Sequence, residues 1–247
     1  MKSIALFISL FILPSFIWSQ ANFVSNGTII YEKRTQQHKQ LLELGEENEW
    51  IQMQLKNVSK VLIETYELQF TPQQSLYKLS KENPDNKYSW GRKPSETDWV
   101  QMFFDNKQLK AQKEVFEQVY QMEDSIRNLT WRLSDETRTI AGFECKKAVT
   151  KICDSVYVVA FYTDQIIPSG GPESFGGLPG MILGLAVPRL HTTWFATAVT
   201  VNNKELALPT GKQKGKKASW KILEADLQKA TKDWGKESAR LIWGFLI

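Results

Sequence analysis

Residues able to do acid, base, nucleophilic or metal chemistry are sparse in this chain, and their spacing comes first. There are two histidines. His38 lies in a polar segment and His191 beside a turn. No His-Glu-x-x-His or paired His spacing links them to a metal, so neither a metal site nor a cofactor is predicted. No serine stands in Gly-x-Ser-x-Gly, the strained turn that exposes a hydrolase nucleophile. Ser174, within Glu173-Ser174-Phe175-Gly176, has no base beside it, and no catalytic residue is assigned. One hydrolytic arrangement stays open: His191 meeting Glu173 or Asp164, a proton-carrying pair that only the fold could assemble.

Cys145 and Cys153 are the only cysteines. In an exported chain such a pair favours a disulfide. Their spacing is awkward, because a turn at Asp154-Ser155 sets Cys145 opposite a residue near 164. A bridge would then need a bulge to bring the Cα atoms within about 7 Å. Two buried thiols are the alternative, and no Cys-x-x-Cys suggests a redox role.

Between Gly170 and Ile182 the chain reads GGPESFGGLPGMI, which holds five of its 14 glycines and two of its nine prolines. Proline fixes φ and glycine opens angles closed to other residues, so together they specify a definite loop path. Gly171, Pro172, Gly176, Gly177, Pro179 and Gly180 read as loop architecture. Phe175, Leu178 and Met181 are apolar and would seat the loop against the body, or contact a ligand. A phosphate cradle is excluded, since Gly-x-Gly-x-x-Gly, the Walker lysine and a following crossover helix are all missing.

The same stretch resembles the signature of the GLPGLI family, secreted or envelope proteins found mostly in Bacteroidetes and largely of unknown function. Here the motif is Gly177-Leu178-Pro179-Gly180-Met181-Ile182, with Met181 for the usual second leucine. Upstream, Cys145-Lys146-Lys147-Ala148, Ala160-Phe161-Tyr162-Thr163, Ile167-Pro168, Gly171-Pro172 and Phe175-Gly176-Gly177 follow the family order. Glu173 stands where an aromatic residue is common. The resemblance covers Cys145 to Ile182 and implies an exported protein, with no activity attached.

The elements that must position these residues are mostly strands. Leu129, Trp131 and Leu133 alternate with Asn128, Thr130 and Arg132, the period of a half-buried antiparallel strand with its apolar set inward. Strands are also expected at 28–32, 61–70, 75–79, 100–104, 115–122, 137–150, 156–162, 182–187 and 192–201. A helix is expected near 46–60. Another is expected at about 219–236, capped by Ser219, with Leu223, Leu227, Ala230 and Trp234 on one face. The apolar tail 241–247 reads as a closing strand, an insertion into the body or a partner site. The middle of the chain lacks the crossover helices that a parallel sheet needs.

The fold class is therefore mainly β (α+β): a strongly curved antiparallel sheet or half-barrel with packed helices, resembling the lipoprotein-carrier (LolA-like) fold. Residues 1–20 read as a signal peptide, with Lys2, an apolar run and Ser19 near the cleavage point. Residues 21–247 read as a single β-rich domain. The net charge of +4 falls to +3 when the leader removes Lys2. Such a balance, without a basic cluster, excludes a nucleic-acid partner. No later stretch reaches membrane length.

A curved sheet has a concave face where Trp131, Tyr157, Phe161 and Trp194 could line a pocket or simply fill the core. On this reading the protein is a periplasmic, non-catalytic binding or carrier protein for a lipid moiety or peptide. A structural accessory partner of an outer-membrane complex and a secreted hydrolase are the alternatives. Each kind of interior separates them: an open apolar groove favours carriage, a filled interior with an exposed tail favours the accessory role, and a converging polar cleft favours the enzyme.

Overall fold

The computed structural model describes residues 23–45, 48–89, 93–153, 155–203, 205–206 and 215–247. The expected signal peptide lies outside the described residues, as do Trp90 and most of the lysine-rich segment 204–217. In chain order the strands are β1 (Gly27–Thr35), β2 (Leu62–Phe70), β3 (Gln74–Lys81), β4 (Trp99–Phe103), β5 (Gln108–Val115), β6 (Gln118–Ser125), β7 (Arg132–Ile140), β8 (Phe143–Ile152), β9 (Val156–Thr163), β10 (Met181–Val187), β11 (Thr192–Val201) and β12 (Lys216–Ala218). The helices are α1 (Gln37–Leu42), α2 (Glu49–Asn57), α3 (Trp220–Ala230) and α4 (Lys236–Leu246).

Alternation of side chains decides the architecture. Along β2 every second residue is buried, from Leu62 through Glu64, Tyr66 and Leu68 to Phe70. A strand patterned this way must lay one face on a core. The described strands form one open, curved sheet in the order β12-β6-β5-β4-β3-β2-β1-β11-β10-β9-β8-β7. Two antiparallel meanders, β1 to β6 and β7 to β11, are joined where β1 pairs with β11. The short β12 alone runs parallel, against β6. Ile29, Leu68, Phe70, Met102 and Leu109 are buried in the core. Helix α3 adds Leu223 and Leu227 and α4 adds Leu246. Phe116 meets Phe245 edge to face at 5.7 Å, tying α4 to the β5–β6 hairpin.

Several local expectations change. The stretch 115–122 is not one strand: Phe116 (φ 50°) and Glu117 (φ 67°) reverse the chain between β5 and β6. A type I′ hairpin turn needs positive φ at both central residues, and neither here is glycine, so composition gives no turn signal. Ala141 and Gly142 make the equivalent turn between β7 and β8. Leu133, expected inward, is 62 % exposed, because β7 is an edge strand with nearly all of its side chains in solvent. The helix expected at 219–236 is shorter, and a second helix follows it. Ser219 does cap α3, accepting the Ile222 N–H at 3.4 Å, but α3 stops at Ala230. Gly235 at φ 59° then turns the chain into α4, so most of the apolar tail is helix.

Cys145 and Cys153 are not bridged. Cys145 is within β8 and Cys153 is one residue past its end. Eight residues of extended chain separate them by roughly 26 Å, at about 3.3 Å per residue, far beyond disulfide reach. The Cys145 thiol is pushed up to about 12 by burial. Among the described residues no helix is long and apolar enough to cross a membrane.

Candidate functional site

Three neighbouring strands set Glu64, Lys33 and Trp194 in one row. The register pairs Lys33 of β1 with Glu64 of β2 on one side and with Trp194 of β11 on the other. Directly opposed residues on one face lie within about 5.5 Å at Cβ, so the row is continuous. Two residues along, Tyr31 opposes Tyr66. On β3, Tyr77 stacks on Tyr66 with centroids 4.9 Å apart and planes 2° from parallel. The Lys33 ammonium lies 5.2 Å from the Trp194 ring centre and 5.3 Å from that of Tyr66.

Glu173 enters this row from the glycine-rich loop between β9 and β10. Its Oε1 accepts the Trp194 Nε1–H at 3.2 Å and lies 3.4 Å from Lys33 Nζ. The residue holds φ 56°, the left-handed region that costs a non-glycine side chain about 1–2 kcal/mol. Local hydrogen bonds fix the loop that imposes this angle. Tyr31 Oη donates to the Ile182 carbonyl at 2.6 Å, Trp131 Nε1 donates to Gly176 O at 3.0 Å, and Ser169 Oγ donates to Leu178 O at 2.7 Å. Gly180, at φ 127°, packs so closely that a Cβ there would fall on the Thr163 carbonyl oxygen.

The opposite wall is also polar. Asp98, just before β4, accepts the Glu114 N–H through Oδ1 at 2.8 Å. Lys113 of β5 donates to the main-chain oxygens of Phe245 at 3.0 Å and Ile247 at 2.9 Å, holding the end of α4. Arg240 of α4 pairs with Glu43 and donates to Gln40 O at 2.6 Å. Between these walls lies a cavity of about 220 Å³, lined by Lys33, Glu64, Tyr77, Asp98, Lys113 and Glu173 among others. It reaches the surface beside Lys93, whose side chain is 61 % exposed.

Burial sets the protonation states here. It raises Asp98 to about 7, although the Glu114 N–H and the Lys113 charge pull the other way. It lowers Lys113 to about 8, against the opposing field of Glu173. Glu64 is raised by burial and partly restored by Lys33 and a Tyr88 hydrogen bond. Burial pulls Lys33 down, but Glu173 and Glu64 outweigh it and hold the ammonium above its ordinary value. The arrangement offers a carboxyl group that keeps its proton near neutrality, a carboxylate fixed by an indole N–H, and aromatic walls. That set can move a proton on and off a bound neutral molecule. Among the described residues no cluster of three or more His, Cys, Asp or Glu could hold a metal.

Of the side chains expected to bind ligand, Trp194 lines the cavity. Phe175, Leu178 and Met181 are core residues that seat the loop. Trp131 braces the loop from outside, Phe161 lies under the Arg138 guanidinium at 4.6 Å, and Tyr157 is 61 % exposed. The suggested pair of His191 with Glu173 or Asp164 does not form. His191 meets Glu43 at 2.6 Å and Asp164 pairs with Lys146 on the surface. Lys33, Glu64, Tyr66, Tyr77, Asp98 and Lys113 were not singled out from sequence. A signal existed for two of them. Glu64 interrupts Leu62, Tyr66 and Leu68, and Lys33 continues Ile29 and Tyr31, so each is a charge at an inward register.

The family model for "N-glycanase peptide, N-terminal domain" matches residues 70–221, more than half of the chain. The chain belongs to this N-glycanase N-terminal domain family. Two solved structures of PNGF-II, in P21 and C2 crystals, share the fold with a TM-score of 0.53 each. They are 15 % and 16 % identical to the chain over 78 % and 79 % of its length. The chain spans only 32 % and 31 % of theirs, about a third. No curated protein matches in sequence.

Membership in the N-glycanase family overturns the GLPGLI resemblance. The Cys145–Ile182 stretch that carries it lies inside the matched residues. Its glycines and prolines are demanded by the loop path, most plainly at Gly180, so they report backbone geometry and not kinship. The non-catalytic carrier reading falls with it, as does the envelope-accessory one. A cavity lined by Glu64, Asp98, Glu114 and Glu173 together with four lysines and Arg240 is a poor host for an apolar ligand, which would strip them of water without replacing its hydrogen bonds.

Proposed function

We propose that this chain acts in the cleavage of N-glycans, with the cavity on the concave face receiving the sugar. The observation that carries the reading is Glu173, held in a left-handed backbone conformation and hydrogen-bonded to Trp194 inside the cavity. Strain of this kind clusters at sites that use it. The family name supplies the substrate class. Because the chain covers about a third of PNGF-II, the activity of that longer protein enters only as part of this proposal.

The reaction class is hydrolysis. Water attacks the carbon of the scissile linkage and yields its proton to Glu173. Asp98, protonated up to about pH 7 through burial, gives a proton to the leaving group as the bond breaks. Lys33 and the Trp194 N–H keep the Glu173 carboxylate in place. The chain is exported on its first 20 residues and works outside the cytoplasm as a single β-rich domain. Its half-barrel follows the lipoprotein-carrier fold in architecture alone, which carries no ligand with it.

The test is incubation of the purified chain with a soluble N-glycopeptide, followed by mass spectrometry. Time-dependent loss of the glycan mass supports the proposal. An intact glycopeptide after prolonged incubation with folded protein rejects it.

A further inference from the structure

Helix α4 forms one side of the cavity. Arg240, Leu241, Gly244 and Phe245 line it at the spacing of one helical face, and Ile247 follows just past the helix. The last carbonyls of a helix have no partner inside it. Here they take donors from three separate parts of the chain. Lys113 of β5 donates to the Phe245 and Ile247 oxygens at 3.0 and 2.9 Å. Arg127, between β6 and β7, donates to Leu246 O, and Ser174 Oγ of the glycine-rich loop donates to Ile247 O at 3.4 Å. Cations at a helix C-terminus also suit its dipole.

At its other end α4 begins from Gly235, at φ 59° and ψ −133°, a backbone conformation that glycine reaches at little cost and other residues do not. A Cβ there would meet nothing within 4 Å. Between the two ends, Arg240 pairs with Glu43, the residue that ends α1, and donates to Gln40 O. Phe245 leans on Phe116, and Leu246 and Ile247 are buried. All of these are side-chain contacts, with no strand pairing among them, so they can break and re-form while the sheet stays whole. The space beneath is about 220 Å³. At about 30 Å³ per water that is on the order of seven waters, or one ring-sized solute. A glycopeptide of several rings does not fit under α4 as it lies.

We propose that α4 is a strap that shuts the cavity, its last carbonyls standing in for ligand oxygens on Lys113, and that it swings about Gly235 to admit a larger molecule. The N-glycan reading supplies only the size of that molecule. Closed, the strap keeps Lys113 paired and water out of the cavity. Open, it frees that ammonium group for the incoming oxygen atoms.

Access to the cavity can be read by thiol labelling of the full chain. Cys153→Ser removes the exposed thiol, and Thr192→Cys places a probe on the cavity lining, where Thr192 is 5 % exposed. The reagent is fluorescein maleimide, which is larger than the closed space. Two changes outside the lining loosen the strap: Glu43→Ala removes the partner of Arg240, and Gly235→Ala disfavours the closed backbone angle. Each should speed labelling about tenfold, the loss of one charged hydrogen bond or of one glycine-only conformation. Cys145, buried in β8, should stay unlabelled throughout and so reports any opening of the core. Equal rates with and without the strap changes overturn the proposal, as does labelling that rises only together with Cys145. If Thr192→Cys does not fold, Ser174→Cys, beneath Ile247, takes its place with the same two outcomes. Glycopeptide cleavage measured in parallel keeps the two ideas apart. Faster labelling without cleavage by any variant leaves the strap standing and removes the N-glycan reading. Cleavage with unchanged labelling does the reverse.

Discussion

Glu173 and Trp194 meet through an indole N–H donated to Oε1 at 3.2 Å, although 21 residues and a whole strand separate them in sequence. Trp194 is placed by strand register. Glu173 is placed by a loop that forces a non-glycine residue to φ 56°. The contact therefore joins the rigid floor of the cavity to its most constrained loop, and both must be built for the carboxylate to be aimed.

The backbone cost at this position can be measured. Glu173→Ala and Glu173→Gly both remove the carboxylate and its pairing with Lys33. They differ in the left-handed conformation, which glycine adopts without penalty. Glu173→Gly should be the more stable by about 1 kcal/mol in urea unfolding. Equal stabilities would mean that the loop relaxes on losing the side chain.

Much of this architecture was legible and much was not. Strands β2, β9, β10 and β11 follow from alternation or from continuous apolar runs bounded by turn residues. The β5–β6 turn was hidden because Phe116 and Glu117 occupy positive φ with no glycine to mark them. The site was hidden for a different reason. Lys33, Glu64 and Trp194 are aligned by the pairing of β1 with both β2 and β11, and that long-range register has no local signature. Glu173 was read as a departure from a loop motif, yet it is the residue the loop presents. The Gly-Pro pattern itself misled, since a demanding loop path produces similar sequences in unrelated settings.

Asp98 makes stability depend on pH. Folded, it keeps its proton up to about pH 7, whereas an unfolded chain releases it near about pH 4. Between those values the folded state holds more protons, so stability falls as pH rises from about 4 to about 7 and does not recover above that through this group. Lys113, Glu114 and Glu173 face Asp98, and Lys113 titrates above the window, at about 8. Asp98→Asn should flatten this part of the profile in denaturation midpoints measured at pH 5 and pH 8. An unchanged slope would place its origin elsewhere.

Gly180→Ala tests the loop packing. A Cβ on the Thr163 carbonyl oxygen, together with φ 127°, leaves no room for adjustment without moving β9 or β10. The expected loss is more than about 3 kcal/mol, read as a large drop in thermal midpoint. A midpoint near wild type would show that the loop can take another path.

Arg240 holds α4 over the cavity through Glu43 and the Gln40 carbonyl. Arg240→Met keeps the apolar stem but removes both interactions, at a cost of about 2 kcal/mol. Hydrogen exchange should speed up first in 236–246 and leave the core strands protected. Uniform acceleration would instead mean that α4 unfolds only with the sheet.

The central claim is that the Glu173 carboxylate does the chemistry, and the most direct measurement is the rate of N-glycan release by wild type and by Glu173→Gln. Glutamine keeps the shape and can still accept the Trp194 N–H, so the fold should survive with a similar melting midpoint. The account predicts a fall of about 10²–10⁴-fold in release rate, the range for loss of a general base. Release by Glu173→Gln at the wild-type rate would contradict it.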